Sequence, residues 1–228
     1  MSRLFRKEIE KGISEMCKEM GFIKKKYDFI KPLTDNVSAT LNFGIYSHQA
    51  PGHIFVYPSA GVSYKDIEEL YSRLIGADNY IFNATIQMPI GYIMPEDTYK
   101  EWDFVEGSNN TAVFEDLLRH IKTYGFEYFE RMSDFNNLFK AFEIRTPCLL
   151  NISRDRRLPI IYYLMGEKKK GLKFIEEAIE RENTPVDMES LIKEAKSTFP
   201  DAEVTIISSG LGRVDPKYLE FVERYKAL

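Results

Sequence analysis

Few residues in this chain have types and spacings suited to chemistry. His48 and His53 flank a tight loop, Gln49-Ala50-Pro51-Gly52. Two imidazoles this close suit a metal, but no cysteine or third histidine is adjacent, and carboxylates nearby are sparse. The competing reading is a polar hairpin loop, and no metal site is expected. Asp116 and His120 stand at i, i+4 spacing, so a helix puts them on one face as a pair. A catalytic dyad also needs a nucleophile beside it, and the sequence offers none. Ser208-Ser209-Gly210-Leu211-Gly212-Arg213 has small residues whose amides suit a phosphate. It lacks the Gly-Lys-Ser/Thr ending of a phosphate loop and the third glycine of a dinucleotide fingerprint. Asp215, capping the following helix, sets a negative charge where a phosphate would sit. No catalytic residue and no cofactor are assigned.

The segment 95–107 has a different character. Glu96, Asp97, Glu101, Asp103 and Glu106 face a single base, Lys100, for a local charge of −4. Tyr99, Trp102 and Phe104 are interleaved with them. Carboxylates around large aromatics suit the docking of a basic protein partner: the rings anchor it and the charges steer its approach. Tyr99, Glu101, Trp102 and Asp103 are the candidate partner-binding residues. The competing reading makes Trp102 a core plug beneath a solvated loop.

Basic clusters point less clearly. Lys24, Lys25 and Lys26 suit a phosphate backbone or a charge-protected sheet edge. Arg154, Arg156 and Arg157 are diluted by Asp155. The net charge of −4 argues against nucleic acid as a partner. Apolar runs are too short to span a bilayer, and the first residues carry no apolar signal core, so a soluble cytoplasmic protein is expected, with no membrane partner. Cys17 and Cys148 lie outside any ligand-spaced motif and are expected as buried free thiols.

The elements that must position these residues follow from periodicity. Leu4, Phe5, Ile9, Ile13, Met16, Cys17 and Met20 recur at helical spacing, and Gly21 is the stop. Strands are expected over 27–33, 37–46, 53–57 and 80–88, with 90–94 a further candidate. A helix is expected over 64–75, with Ser63 a candidate cap. Later come helices over 111–123, 126–142, 158–164, 171–181, 188–197 and 216–225, and one short strand over 204–207. Gly166 marks the turn of a hairpin resembling a single tetratricopeptide unit, too few for a solenoid. Strands collect early and helices late. The fold class is therefore α+β, with a mainly antiparallel sheet, an N-terminal helix and a helix-rich C-terminal half. The hydrophobic fraction of 44% and the absence of a Pro/Gly/Ser-rich linker favour one compact domain over 1–228, with a candidate sub-boundary near 145–159.

The first helix, Gly21-Phe22 with Lys24, Lys25 and Lys26, Phe29, Glu101-Trp102-Asp103, and a helix entering Gly125-Phe126-Glu127-Tyr128-Phe129-Glu130-Arg131 carry a resemblance. Over Arg3 to Phe142 the chain resembles the bacterial family called domain of unknown function 4304. The resemblance implies an α+β fold and no established activity, with some relatives similar to immunity or defence-associated proteins. The first functional expectation is accordingly a non-enzymatic protein-binding module, such as an immunity or antitoxin-like inhibitor of a cognate protein. The alternative is a small-molecule-binding protein or enzyme with a pocket between sheet and helices, lined by Asp116, His120 or Arg213.

Overall fold

The computed structural model describes residues 3–47, 50–146, 151–184, 192–193 and 214–228. His48, Cys148, the expected elements at 188–197 and 204–207, and the Ser208–Arg213 turn lie outside the described residues, apart from helical residues 192 and 193. By packing, the chain divides into two compact units, 1–70 with 80–154 and 71–79 with 155–228. The fold is α+β with an antiparallel sheet, as the early strands and late helices imply. Among the described residues no helix is long and apolar enough to cross a membrane.

Helix α1 (Arg3–Glu19) buries Phe5, Ile9, Ile13, Met16 and Cys17, one face at the 3.6-residue period. It ends where Gly21 takes φ +83°, a left-handed conformation that glycine adopts without Cβ strain. The Phe22 amide then donates to the Cys17 carbonyl at 2.9 Å and the Gly21 amide to Lys18 at 3.0 Å, closing the helix. Lys31 Nζ donates to the Met20 carbonyl at 3.0 Å, placing a cation at the negative helix end. Burial holds the Cys17 thiol up at about 12, the charge of Lys24 acting against it, so it stays protonated.

The sheet is a meander of β1 (Ile23–Lys25), β2 (Asp28–Pro32), β3 (Val37–Tyr46) and β4 (His53–Tyr64). Among the described residues β1 pairs with β2 alone, so Lys24 and Lys25 lie on an edge strand, with Lys26 in the turn that follows. β3 and β4 pair along ten positions, from Val37 with Tyr64 to Tyr46 with Phe55. The other side of β4 is shared. Its first part, His53–Val56, pairs with β6 (Trp102–Val105), and its later part, Ser59–Val62, pairs with β5 (Ile86–Pro89). Ile54, Val56, Ala60 and Val62 are buried at alternate positions of β4 and form one wall of the core.

Helix α2 (Lys65–Leu74) begins directly after β4. Its start is satisfied by Asn36 and not by Ser63. The Asn36 carbonyl accepts from the Lys65 amide at 2.8 Å, and its side-chain oxygen accepts from the Asp66 amide at 3.2 Å. Helix α3 (Thr111–His120) runs through a π turn, Ile121–Gly125, into α4 (Phe126–Ser133), and α5 (Phe135–Glu143) follows. α4 packs on β3 and β4, and the Tyr64 hydroxyl donates to the Met132 carbonyl at 2.9 Å.

The second unit is helical. Helix α6 (Asn151–Leu164) enters it at Asp155, and α7 (Lys168–Asn183) and α8 (Pro216–Lys226) follow, with Gly166 at φ +78° between the first two. Pro159 stands inside α6 and lacks the amide that would bond the carbonyl four residues back. That carbonyl, on Asp155, accepts from the Tyr218 hydroxyl at 3.3 Å. The Pro159 carbonyl accepts from Tyr225 at 2.9 Å. Asp215 caps α8, accepting from the Lys217 amide at 3.0 Å.

Candidate functional site

Around Trp102 several polar side chains converge, and period-2 alternation organises the segment. β6 pairs with β4 so that Trp102 lies opposite Val56 and Asp103 opposite Phe55. Trp102 and Phe104 therefore join the buried wall, and Asp103 joins the other face of the sheet. Trp102 is 4% exposed. Its indole N–H donates to Asp116 Oδ2 at 2.9 Å, so burial leaves no orphan donor. Phe104 packs its ring 4.7 Å from Phe114, on the side of α3 that also meets Gly12 of α1.

Asp116 and His120 stand on α3 as the spacing implies, and the structure adds two partners to them. His120 is 5% exposed and its Nδ1 lies 2.7 Å from the Asp116 carbonyl oxygen. That contact requires the proton on Nδ1 and leaves Nε2 to accept from Lys100 Nζ at 3.3 Å. The same ammonium lies 5.2 Å from the centre of the Trp102 ring. Among the described residues no serine, threonine or cysteine is a hydrogen-bond partner of His120. The cluster clamps β6 and its lead-in segment to α3. Arg213, the third residue expected in a pocket with Asp116 and His120, lies outside the described residues.

Burial raises the Asp116 carboxyl, but hydrogen bonds from Arg119 and Trp102 and the charge of Arg119 outweigh it, holding the group below the ordinary value. A lowered folded pKa contributes stability that is present above the unfolded value, about 3.9, and is lost as pH falls through the folded one. Wild type is therefore expected to lose more stability than Asp116→Asn between pH 5 and the acid limit, as read by urea melts at each pH. Solvent screening keeps the difference small, because the side chain is 38% exposed. Parallel curves for the two proteins would remove Asp116 from the clamp.

The opposite sheet face is open. Tyr99 is 50% exposed and stacks on Tyr57 at 4.8 Å between centroids. Its hydroxyl donates to Glu101 Oε2 at 2.6 Å. That bond first, then burial and the neighbouring Glu101, Tyr57 and Tyr46, push the phenol up to about 12. Tyr46 is 41% exposed, on the strand beside Phe55 and Tyr57. Asp103 accepts from His53 Nδ1 at 2.9 Å, and the His53 ring lies 6.0 Å from Phe55. Thus His53 pairs across strands with a carboxylate. Among the described residues no cluster of three or more His, Cys, Asp or Glu is placed to hold a metal.

Of the four residues expected to bind a partner, the structure places Tyr99, Glu101 and Asp103 on one open face and Trp102 beneath it. Sequence reasoning missed Tyr46, Phe55 and Tyr57. Their signal was the same alternation, continued across β3 and β4. Comparison with family models, curated proteins and solved structures finds no match.

Proposed function

We propose that this chain is a non-enzymatic protein-binding module that seats a basic partner on the open face of the sheet. One observation carries the reading: from Tyr99 to Asp103 the chain sorts its side chains by position. The odd positions Tyr99, Glu101 and Asp103 turn outward, while Lys100 and Trp102 turn to the buried clamp with His120 and Asp116. The only base of the segment is thus withdrawn, and carboxylates are left beside Tyr46, Phe55, Tyr57 and Tyr99. Aromatic rings held in place by stacking offer contact area at low entropic cost, and a rim of one charge favours partners of the other. An immunity-like inhibitor of a cognate protein is the form of binder that the resemblance to domain of unknown function 4304 suggests.

The test is affinity capture from the native cell with wild type, Tyr99→Ala, and a Glu101→Lys, Asp103→Lys double variant, followed by kinetics on the captured protein. The expected partner is basic. Tyr99→Ala should speed its dissociation, costing ~2 kcal/mol. The charge reversal should slow association, as added salt does. A partner held equally by all three proteins at every salt concentration would refute this surface as the binding face.

A further inference from the structure

The same sheet face carries a second feature at the far end of β4, independent of the docking reading. A cleft of about 340 Å³ opens between the β1–β2 edge and the segment 80–82. Small-molecule sites begin at about 300 Å³, with mostly apolar walls and a few placed polar groups. Ile23, Ile30, Pro32 and Phe82 supply the apolar walls. Lys25 and Lys65 also line the cleft with one carboxylate, Asp35, and Lys65 is ion-paired with Glu69 at 3.8 Å. The Lys25 ammonium lies 5.4 Å over the Phe82 ring, so one cation sits directly above an apolar wall.

An independent observation lies in the lining. Ser63 is 2% exposed, and its hydroxyl makes no hydrogen bond of good geometry, its contact with the Tyr80 phenol being a weak one. A buried hydroxyl so poorly satisfied is costly in a folded protein. Ser63 does not cap α2, whose first amides go to Asn36. Beside it stands the half-exposed Tyr80, whose phenol is raised by burial, the Ser63 hydroxyl acting against that shift and Glu68 and Glu69 adding to it.

We propose that this cleft is a binding site for a small organic carboxylate with a flat apolar body. The ring or branched chain lies against Ile23, Ile30 and Phe82. The carboxylate takes the ammonium groups of Lys25 and Lys65, and one of its oxygens accepts from the Ser63 hydroxyl. Lys25, together with Lys65 drawn from its exposed pair with Glu69, selects an anion, and the apolar walls select against a bare inorganic one.

The experiment is an amide NMR titration of the full chain with benzoate, and with benzyl alcohol as the uncharged counterpart. Benzoate should give saturable shifts confined to 23–32, Ser63 and 80–82, with benzyl alcohol at least ~10-fold weaker. A Lys25→Gln, Lys65→Gln variant should lose ~10-fold in benzoate affinity. Ser63→Ala should weaken binding several-fold at little cost to the free protein, because it removes a poorly satisfied buried hydroxyl. Both lysines are on the surface, so the lysine variant keeps the test decisive if Ser63→Ala folds poorly. Shifts that do not saturate, equal affinity for the alcohol, or unchanged affinity in the lysine variant would each overturn the proposal.

Discussion

Trp102→Ala should lower the unfolding free energy by ~3–5 kcal/mol, the cost of emptying a large aromatic site in a packed core. The ring is 4% exposed and sits edge-on to His120 at 5.4 Å. Its loss also removes the indole donor from Asp116 and the ring beneath the Lys100 ammonium. Urea melts read the effect directly. Tyr99→Ala, three residues away on the open face, should cost no more than ~1 kcal/mol. This contrast separates two roles within one short segment. A drop below ~1 kcal/mol for Trp102→Ala would place the ring outside the core. Lost partner binding in that variant would then report on the interface, whereas in a protein with this core it reports on folding.

Ile13→Ala should cost ~2–5 kcal/mol for the same physical reason. Ile13 is 2% exposed, at the centre of the α1 stripe with Phe5, Ile9, Met16 and Cys17. The neighbouring turn of α1 is held close to α3, because Gly12 faces the Phe114 ring where a side chain would collide with it. The helix cannot slide inward to fill a cavity without driving Gly12 into that ring, so the lost volume stays open. A measured loss under ~0.5 kcal/mol would mean that this face does not pack.

Local pattern made α1 and β3 legible. The helix has a complete apolar stripe and a glycine in the left-handed conformation at its end, and β3 runs over Val37–Tyr46 as its alternation implies. β4 was legible only to Tyr57. Beyond it come Pro58, Ser59, Ala60 and Gly61, residues with little strand preference of their own. They are strand because β3 and β5 hold them from both sides. At Gly61 a side chain would stand 2.7 Å from the Ile86 carbonyl oxygen, so the absence of one permits the pairing.

The strand expected over 80–88 forms only at Ile86–Pro89. Val62 pairs with Ile86, and β4 ends at Tyr64, so residues 80–83 meet no strand to pair with. The Thr85 hydroxyl takes the last rung instead, accepting from the Tyr64 amide at 2.9 Å. β6 was hidden for the converse reason. Four residues amid carboxylates carry almost no strand signal, and their partner on β4 is about fifty residues away in sequence. Of the candidate site, charge and aromatic content were legible in 95–107. Which side chains turn outward was not, because that depends on β6 pairing with β4.

The claim that Tyr99 and its neighbours form a binding face is tested most directly by crosslinking in the native cell. A photoreactive phenylalanine analogue would be placed at Tyr99, at Tyr46, and at the exposed Leu219 on α8 as a control. The account predicts that positions 99 and 46 trap one and the same basic polypeptide, that position 219 does not, and that Glu101→Lys lowers the yield of the adduct. No adduct at 99 or 46, or the same products at all three positions, would contradict it.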